Sequence, residues 1–103
     1  MTGRPGDMAR LEASVHGRVH GVGFRYFVVT RAMRLGLAGF VSNEQDGSVR
    51  VVAEGPKVDL EDLLEALYEG PASALVEQVN VSWLPYFGQW GTFSVESGGH
   101  RGD

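Results

Sequence analysis

The sequence predicts an α+β fold, and three observations carry that expectation. The hydrophobic period along the 103 residues switches from two to about 3.6 and back, twice, as it does when strands are interleaved with helices. An Asp46-Gly47 pair sits between two β-like runs, where it supplies the positive-φ chemistry of a hairpin turn. Two stripes of large apolar residues follow helical spacing, one beginning at Phe24 and one at Leu60.

Taken in order, Leu11, Ala13 and Val15 alternate with Glu12, Ser14 and His16, so residues 10–16 suit a strand with one buried face. From Phe24 the apolar positions Phe24, Phe27, Val28, Ala32 and Leu35 predict a helix that stops at Gly36. Leu37 to Asn43 and Ser48 to Glu54 form the second and third strands around Glu44-Gln45-Asp46-Gly47. Pro56 suits the first turn of a second helix, whose buried stripe is Leu60, Leu63, Leu64 and Leu67, before Gly70. Val79, Val81 and Trp83 alternate as a fourth strand, and Thr92 to Glu96 give a short fifth. The order βαββαββ consists of two βαβ-like halves joined by a hairpin. It predicts a ferredoxin-like plait: an antiparallel sheet of four to five strands with both helices packed on one face.

One domain is expected, since 103 residues with 43% hydrophobic content and ten aromatics can bury a modest core. Residues 1–8 and 97–103 are rich in Gly and polar residues and read as tails, leaving residues 9–96 as the folded unit. The terminal Arg101-Gly102-Asp103 spells an adhesion tripeptide, which in a polar tail carries no functional weight. No run of 18 or more apolar residues occurs and the N-terminus lacks an apolar signal core, so a cytoplasmic protein with no membrane partner is expected. The absence of cysteine removes disulfides, thiolate nucleophiles and Cys-based zinc sites together. A formal net charge of −4 argues against binding to nucleic-acid backbones.

The most informative segment is Gly17-Arg18-Val19-His20-Gly21-Val22-Gly23-Phe24-Arg25, a glycine-punctuated turn between the first strand and the first helix. Glycines let successive N–H groups point inward as a nest, and the helix N-terminus adds free donors and partial positive charge. An arginine in that first turn is slightly unfavourable for the helix dipole, and a bound phosphate would account for it. Its planar fork of donors matches two phosphoryl oxygens. The competing reading is that the glycines merely make a tight strand-to-helix connection and the arginine is solvated. The turn is neither a Gly-Lys-Ser/Thr loop nor a G-x-G-x-x-G fingerprint, which disfavours nucleotides.

In a right-handed β-α-β unit the first two strands run parallel, so the loop after the first and Asn43 at the end of the second lie at one edge of the sheet. With the third strand between them the gap is about 10 Å, from two strand spacings, and side chains plus a phosphate and a water can fill it. Asn43 either bonds its own turn or uses its donor and acceptor to hold a water in line with phosphorus. No carboxylate pair, Gly-x-Ser-x-Gly elbow or His-Glu-x-x-His spacing is present, so neither a metal site nor an ordinary phosphomonoesterase is expected. An acyl phosphate expels a weakly basic carboxylate and needs no general acid; positioning and charge stabilisation suffice. Of the histidines, His16 is on the strand, His100 in the tail, and His20 enters the loop, where it donates to an anion or is simply solvated.

These same residues resemble the two signatures of the acylphosphatases: residues 17–25, then Gly39-Phe40-Val41-Ser42-Asn43 with Asp46-Gly47-Ser48-Val49. The likeness runs from about residue 9 to 96 and includes Glu54-Gly55-Pro56 and Phe93-Ser94-Val95. It implies hydrolysis of a small-molecule acyl phosphate to a carboxylate and phosphate with no metal; separately, no cofactor is expected, and the chain is expected to act as a monomer. The catalytic pair matches Arg25 and Asn43, and the backbone N–H groups of His20, Gly21, Val22, Gly23 and Phe24 would cradle the phosphate. His20 departs from the family, which commonly has glutamine there; altered tuning rather than loss of binding is expected. Rival readings are the acylphosphatase-like module of hydrogenase maturation factors, which belongs to a much larger chain, and a non-catalytic plait that binds RNA or a small anion. No ribonucleoprotein motif is visible to favour the RNA reading.

Overall fold

The computed structural model describes residues 7–96. Its elements are β1 (Met8–Arg18), α1 (Phe24–Arg34), β2 (Ala38–Asn43), β3 (Val49–Pro56), α2 (Lys57–Glu69), β4 (Leu75–Leu84) and β5 (Phe93–Glu96), the predicted βαββαββ order. Met8, expected in the N-terminal tail, instead opens β1 and pairs with Pro56. The rest of the expected tails, with His100 and the terminal tripeptide, lie outside the described residues apart from Asp7. Pairing with Met8 also draws Pro56 into an extended conformation (ψ 136°), so it caps α2 rather than entering its first turn.

The five strands lie in the order β4-β1-β3-β2-β5. β1–β3, β1–β4 and β2–β3 are antiparallel as expected, but β5 runs parallel to β2, so the sheet is mixed. The cause is chain direction. β4 ends beside Arg10, at the end of the sheet where β2 begins, and only residues 85–92 connect it to β5. The chain crosses that end to the far edge and starts back in the same sense as β2, with Phe93 opposite Gly39.

One core lies between the sheet and the helices. Leu11, Ala13 and Val15 of β1, Val49, Val51 and Ala53 of β3, and Val41 of β2 meet Phe24, Val28 and Ala32 of α1 and Leu60, Leu63 and Leu67 of α2, all buried. Spacings of three and four put these residues on one face of each helix, and alternation puts the strand residues on one face of the sheet. At roughly 1.5–3 kcal/mol for each large side chain removed from water, this layer dominates the favourable side of folding. Gly39 marks a place where backbones must touch: it has φ 139°, and an added Cβ would come within 1.9 Å of the Val52 carbonyl oxygen.

The connection from β4 to β5 is held against the other face of the sheet. Glu54 is buried there, and its carboxylate accepts from the N–H groups of Phe87 (2.8 Å), Gly88 (3.0 Å) and Gln89 (3.2 Å). Arg10 lies between the rings of Phe87 and Trp90, 5.4 and 4.8 Å from their centroids, and Trp90 meets Phe40 edge-on. Under this strap Val52 is fully buried although it points away from the main core. Three charge-assisted bonds to one buried carboxylate are the kind that is costly to break on one side.

The β2–β3 hairpin is closed by side chains as well as backbone. Glu44 N–H donates to the Ser48 carbonyl at 2.9 Å, while the Ser48 N–H and hydroxyl both donate to Asp46 Oδ1 at 2.9 and 2.6 Å. The Ser48 hydroxyl, then its N–H, hold the Asp46 carboxyl below its ordinary value of 3.8.

Two measurements test these supports. Glu54→Gln places an amide N–H against at least one of the strap's donors and should destabilise the protein by about 2 kcal/mol, lowering Tm by about 8–16 °C; an unchanged melting curve would remove Glu54 as the anchor. Because folding lowers the Asp46 pKa, its contribution is present above 3.8 and is lost as the pH falls through the folded value. Carboxyl NMR should place the Asp46 midpoint below 3.8, and Ser48→Ala should move it back up.

Candidate active site

Between β1 and α1, residues 19–23 turn through two left-handed glycines, Gly21 (φ 69°) and Gly23 (φ 79°). A Cβ at either would meet nothing within 4 Å, so the backbone conformation and not space calls for glycine, at about 1–2 kcal/mol for any other residue. Gly23 is the N-cap of α1 and makes no side-chain cap bond; the first backbone bond of the helix is Phe27 N–H to the Gly23 carbonyl, 3.0 Å. The N–H groups of Phe24, Arg25 and Tyr26 precede the first helical donor, Phe27 N–H, and take no part in the helix ladder. No acidic residue stands in the first turn to neutralise the positive end of the dipole. Outside the loop, the Val22 carbonyl accepts from the Ser73 hydroxyl at 2.8 Å, and the His20 ring reaches the Ser48 carbonyl at 2.8 Å.

The loop opens on a pocket of about 340 Å³. Arg25 and Asn43 both line it, together with Gly21, Gly23 and Phe24. His20 and Val22, the other two residues expected in the cradle, do not line it. The sheet accounts for the meeting of Arg25 and Asn43. β3 lies between β1 and β2, and Val49 pairs with Val15 on one side and Asn43 on the other, so Asn43 stands level with the end of β1 where the loop departs.

Arg25 is half-buried and, among the described residues, supplies the only charged side chain lining the pocket. Asn43 is 5% exposed, and its Oδ1 is buried with no hydrogen-bond partner. A buried carbonyl oxygen without a donor costs roughly 1–3 kcal/mol, so a group that supplies one on binding is favoured. Asparagine at a strand end commonly satisfies itself on its own turn, and here that task falls to Asp46 and Ser48 instead.

Val19, Tyr26, Val29 and Val95 complete the wall and were not singled out from the sequence. Tyr26 and Val29 follow from placing α1, since Tyr26 is next to Arg25 and Val29 lies one turn beyond it on the same side of the helix. Val95 reaches the pocket only because β5 runs parallel to β2, with Val95 opposite Val41. Among the described residues no group of three His, Cys, Asp or Glu side chains could hold a metal ion, and no helix is long and apolar enough to cross a membrane.

Comparison with known proteins agrees with this geometry. The family model for acylphosphatase matches residues 11–95. An acylphosphatase from Salinibacter ruber is 55% identical over 78 residues, which is 76% of this chain and 82% of the relative. Among solved structures, an acylphosphatase from Coxiella burnetii superposes with a TM-score of 0.84 at 34% identity, covering 93% of this chain and 100% of the other. The crystal structure of acylphosphatase from Bacillus subtilis gives 0.82 at 38% identity, covering 85% and 98%. The glycine-turned helix N-terminus, the arginine on it and the pocket they share with the end of β2 are thus parts of a ferredoxin-like domain, and the chain belongs to the acylphosphatase family, enzymes that hydrolyse acyl phosphates.

Proposed function

We propose that hydrolysis proceeds by direct attack of water at phosphorus, with Arg25 and the loop N–H groups holding the phosphate and Asn43 holding the water. The observation that carries this reading is Asn43: the residue lines the same pocket as Arg25, and its buried Oδ1 lacks a donor. A water bridging Oδ1 and the substrate would satisfy that oxygen, and the carboxamide N–H can at the same time donate to a phosphoryl oxygen.

The electrostatics follow from the elements. The phosphoryl group carries negative charge that spreads over its equatorial oxygens in a loose transition state. The guanidinium, the N–H groups of α1's first turn and the helix dipole all present positive charge from one side, already oriented, so little reorganisation is needed as the reaction proceeds. Water forms the new P–O bond, the bond from phosphorus to the acyl oxygen breaks, and the electron pair leaves with the carboxylate. The water's protons pass to phosphate and solvent. A carboxylate is a weak enough base to depart unprotonated, which suits a pocket where the one charged side chain among the described residues is a cation. No metal is assigned a role.

The purified protein should hydrolyse acetyl or benzoyl phosphate at an unchanged rate with a chelator present, should be nearly inert on ordinary phosphate monoesters, and should be competitively inhibited by inorganic phosphate. Arg25→Ala is expected to lower kcat/KM by at least about 100-fold; full activity in that variant would falsify the assignment. In Asn43→Ala, kcat should fall by about 100-fold or more while the inhibition constant for phosphate changes by less than about threefold. Loss of phosphate binding there would instead make Asn43 a phosphate ligand and overturn its role with the water.

A further inference from the structure

His20 lies in the middle of the phosphate loop, between two residues that line the pocket, yet its ring turns away to the β2–β3 hairpin, with Nε2 2.8 Å from the Ser48 carbonyl oxygen. A carbonyl only accepts, so Nε2 carries the hydrogen and donates. The acceptor is held on every side. Ser48 is buried, its carbonyl also accepts from Glu44 N–H, and its own N–H and hydroxyl are bound by Asp46. The next residue is Val49, which pairs with Asn43.

We propose that His20 is a positioning residue for the hydrolysis: its hydrogen bond to Ser48 ties the phosphate loop to the start of β3, where Val49 pairs with Asn43, and so sets the distance between phosphate and water. The inference rests on the function proposed above and adds a residue to it. The loop leaves β1 beside β3, whose pairing with β1 ends at Val15–Val49 and whose strand pairing with β2 ends at Asn43–Val49, while β1 stays paired with β4 as far as Arg18. Beyond those points the loop passes through two left-handed glycines, which are the least restrained residues available to it. The bond from Ser73 to Val22 holds the loop on its outer side, toward the segment after α2, and leaves its distance to Asn43 unset. In-line attack is sensitive to displacements of about 1 Å, so a bond spanning this gap acts on turnover more than on substrate affinity. The ring itself does not touch the substrate.

The experiment compares His20→Ala and His20→Gln, with and without Asn43→Ala. Glutamine carries an N–H donor at a similar reach and should restore most of the turnover that alanine removes. His20→Ala should lower kcat by about tenfold, with KM changed by less than about threefold. In the Asn43→Ala background the same substitution should cost less than about threefold, because contacts that act as one unit are not additive. A kcat within twofold of wild type in His20→Ala, a glutamine variant no better than alanine, or additive losses would each overturn the proposal. Should the alanine variant not fold, His20→Leu fills the site without a donor and gives the same comparison. If the wild-type protein hydrolyses no acyl phosphate, the proposed function fails, and amide hydrogen exchange still decides the tether: exchange at residues 21–24 should quicken in His20→Ala and not in His20→Gln, and equal exchange in both would sink it.

Discussion

β3 pairs along both of its edges, with β1 from Met8–Pro56 to Val15–Val49 and with β2 from Ala38–Glu54 to Asn43–Val49. This double ladder holds two parallel strands in a common register although they share no hydrogen bond. Val49 ends both ladders, so the exit of β1 into the loop and the side chain of Asn43 are referred to a single residue. A slip of one residue on either side would turn Asn43 to the opposite face of the sheet. Gly39 guards against such a slip in β2, because its Cα approaches the Val52 carbonyl more closely than any side chain permits. The site is therefore a consequence of register before it is a matter of side-chain chemistry.

At the strap the chain binds an anion with three backbone donors, and both partners are its own. The N–H groups of Phe87, Gly88 and Gln89 converge on the Glu54 carboxylate, with Gly88 in a left-handed conformation and Arg10 nearby at 4.0 Å. At the start of α1 the same ingredients recur: left-handed glycines, amide donors outside the helix ladder and an arginine. There, no carboxylate stands in the first turn. In the strap the arrangement secures the return of the chain to β5, and at the helix it faces a pocket. The physical device is shared, and what separates structure from chemistry is whether the anion is part of the chain.

Much of this was legible in the sequence because it is local. The stripes on α1 and α2, the Asp46-Gly47 turn and the alternation in β1 each follow from spacing within a few residues, and Arg25 and the glycines of the loop were identified from that spacing. Asn43 could be brought near them only by supposing that β3 lies between β1 and β2, as it does. What was missed depends on contacts between residues far apart. Nothing near Glu54 announces that its partners are residues 87–89, more than thirty positions away. The parallel direction of β5, and with it the place of Val95 in the pocket wall, follows from where β4 happens to end. The sequence leaves His20 either donating to an anion or solvated; the contact to the Ser48 backbone carbonyl leaves no trace in side-chain patterns.

The strap and the active site are linked through β5. Val95 reaches the pocket because β5 continues the sheet beyond β2, and β5 starts where the strap delivers it, with Gly39 N–H donating to the Thr92 carbonyl at 3.0 Å just ahead of the first strand pair. β5 has only four residues and one buried side chain, Phe93, which is too little to hold an edge strand by itself. Its position is borrowed from the bonds to Glu54 and from the stack of Arg10, Phe87, Trp90 and Phe40 on the far face of the sheet. A disturbance at Glu54, at the opposite end of the sheet from Asn43, would therefore act on the wall of the pocket through β5 and leave Arg25 and Asn43 referred to Val49 as before. The two halves of the site have separate supports: the pair assigned to phosphate and water depends on the central ladders, and the outer apolar wall depends on the strap.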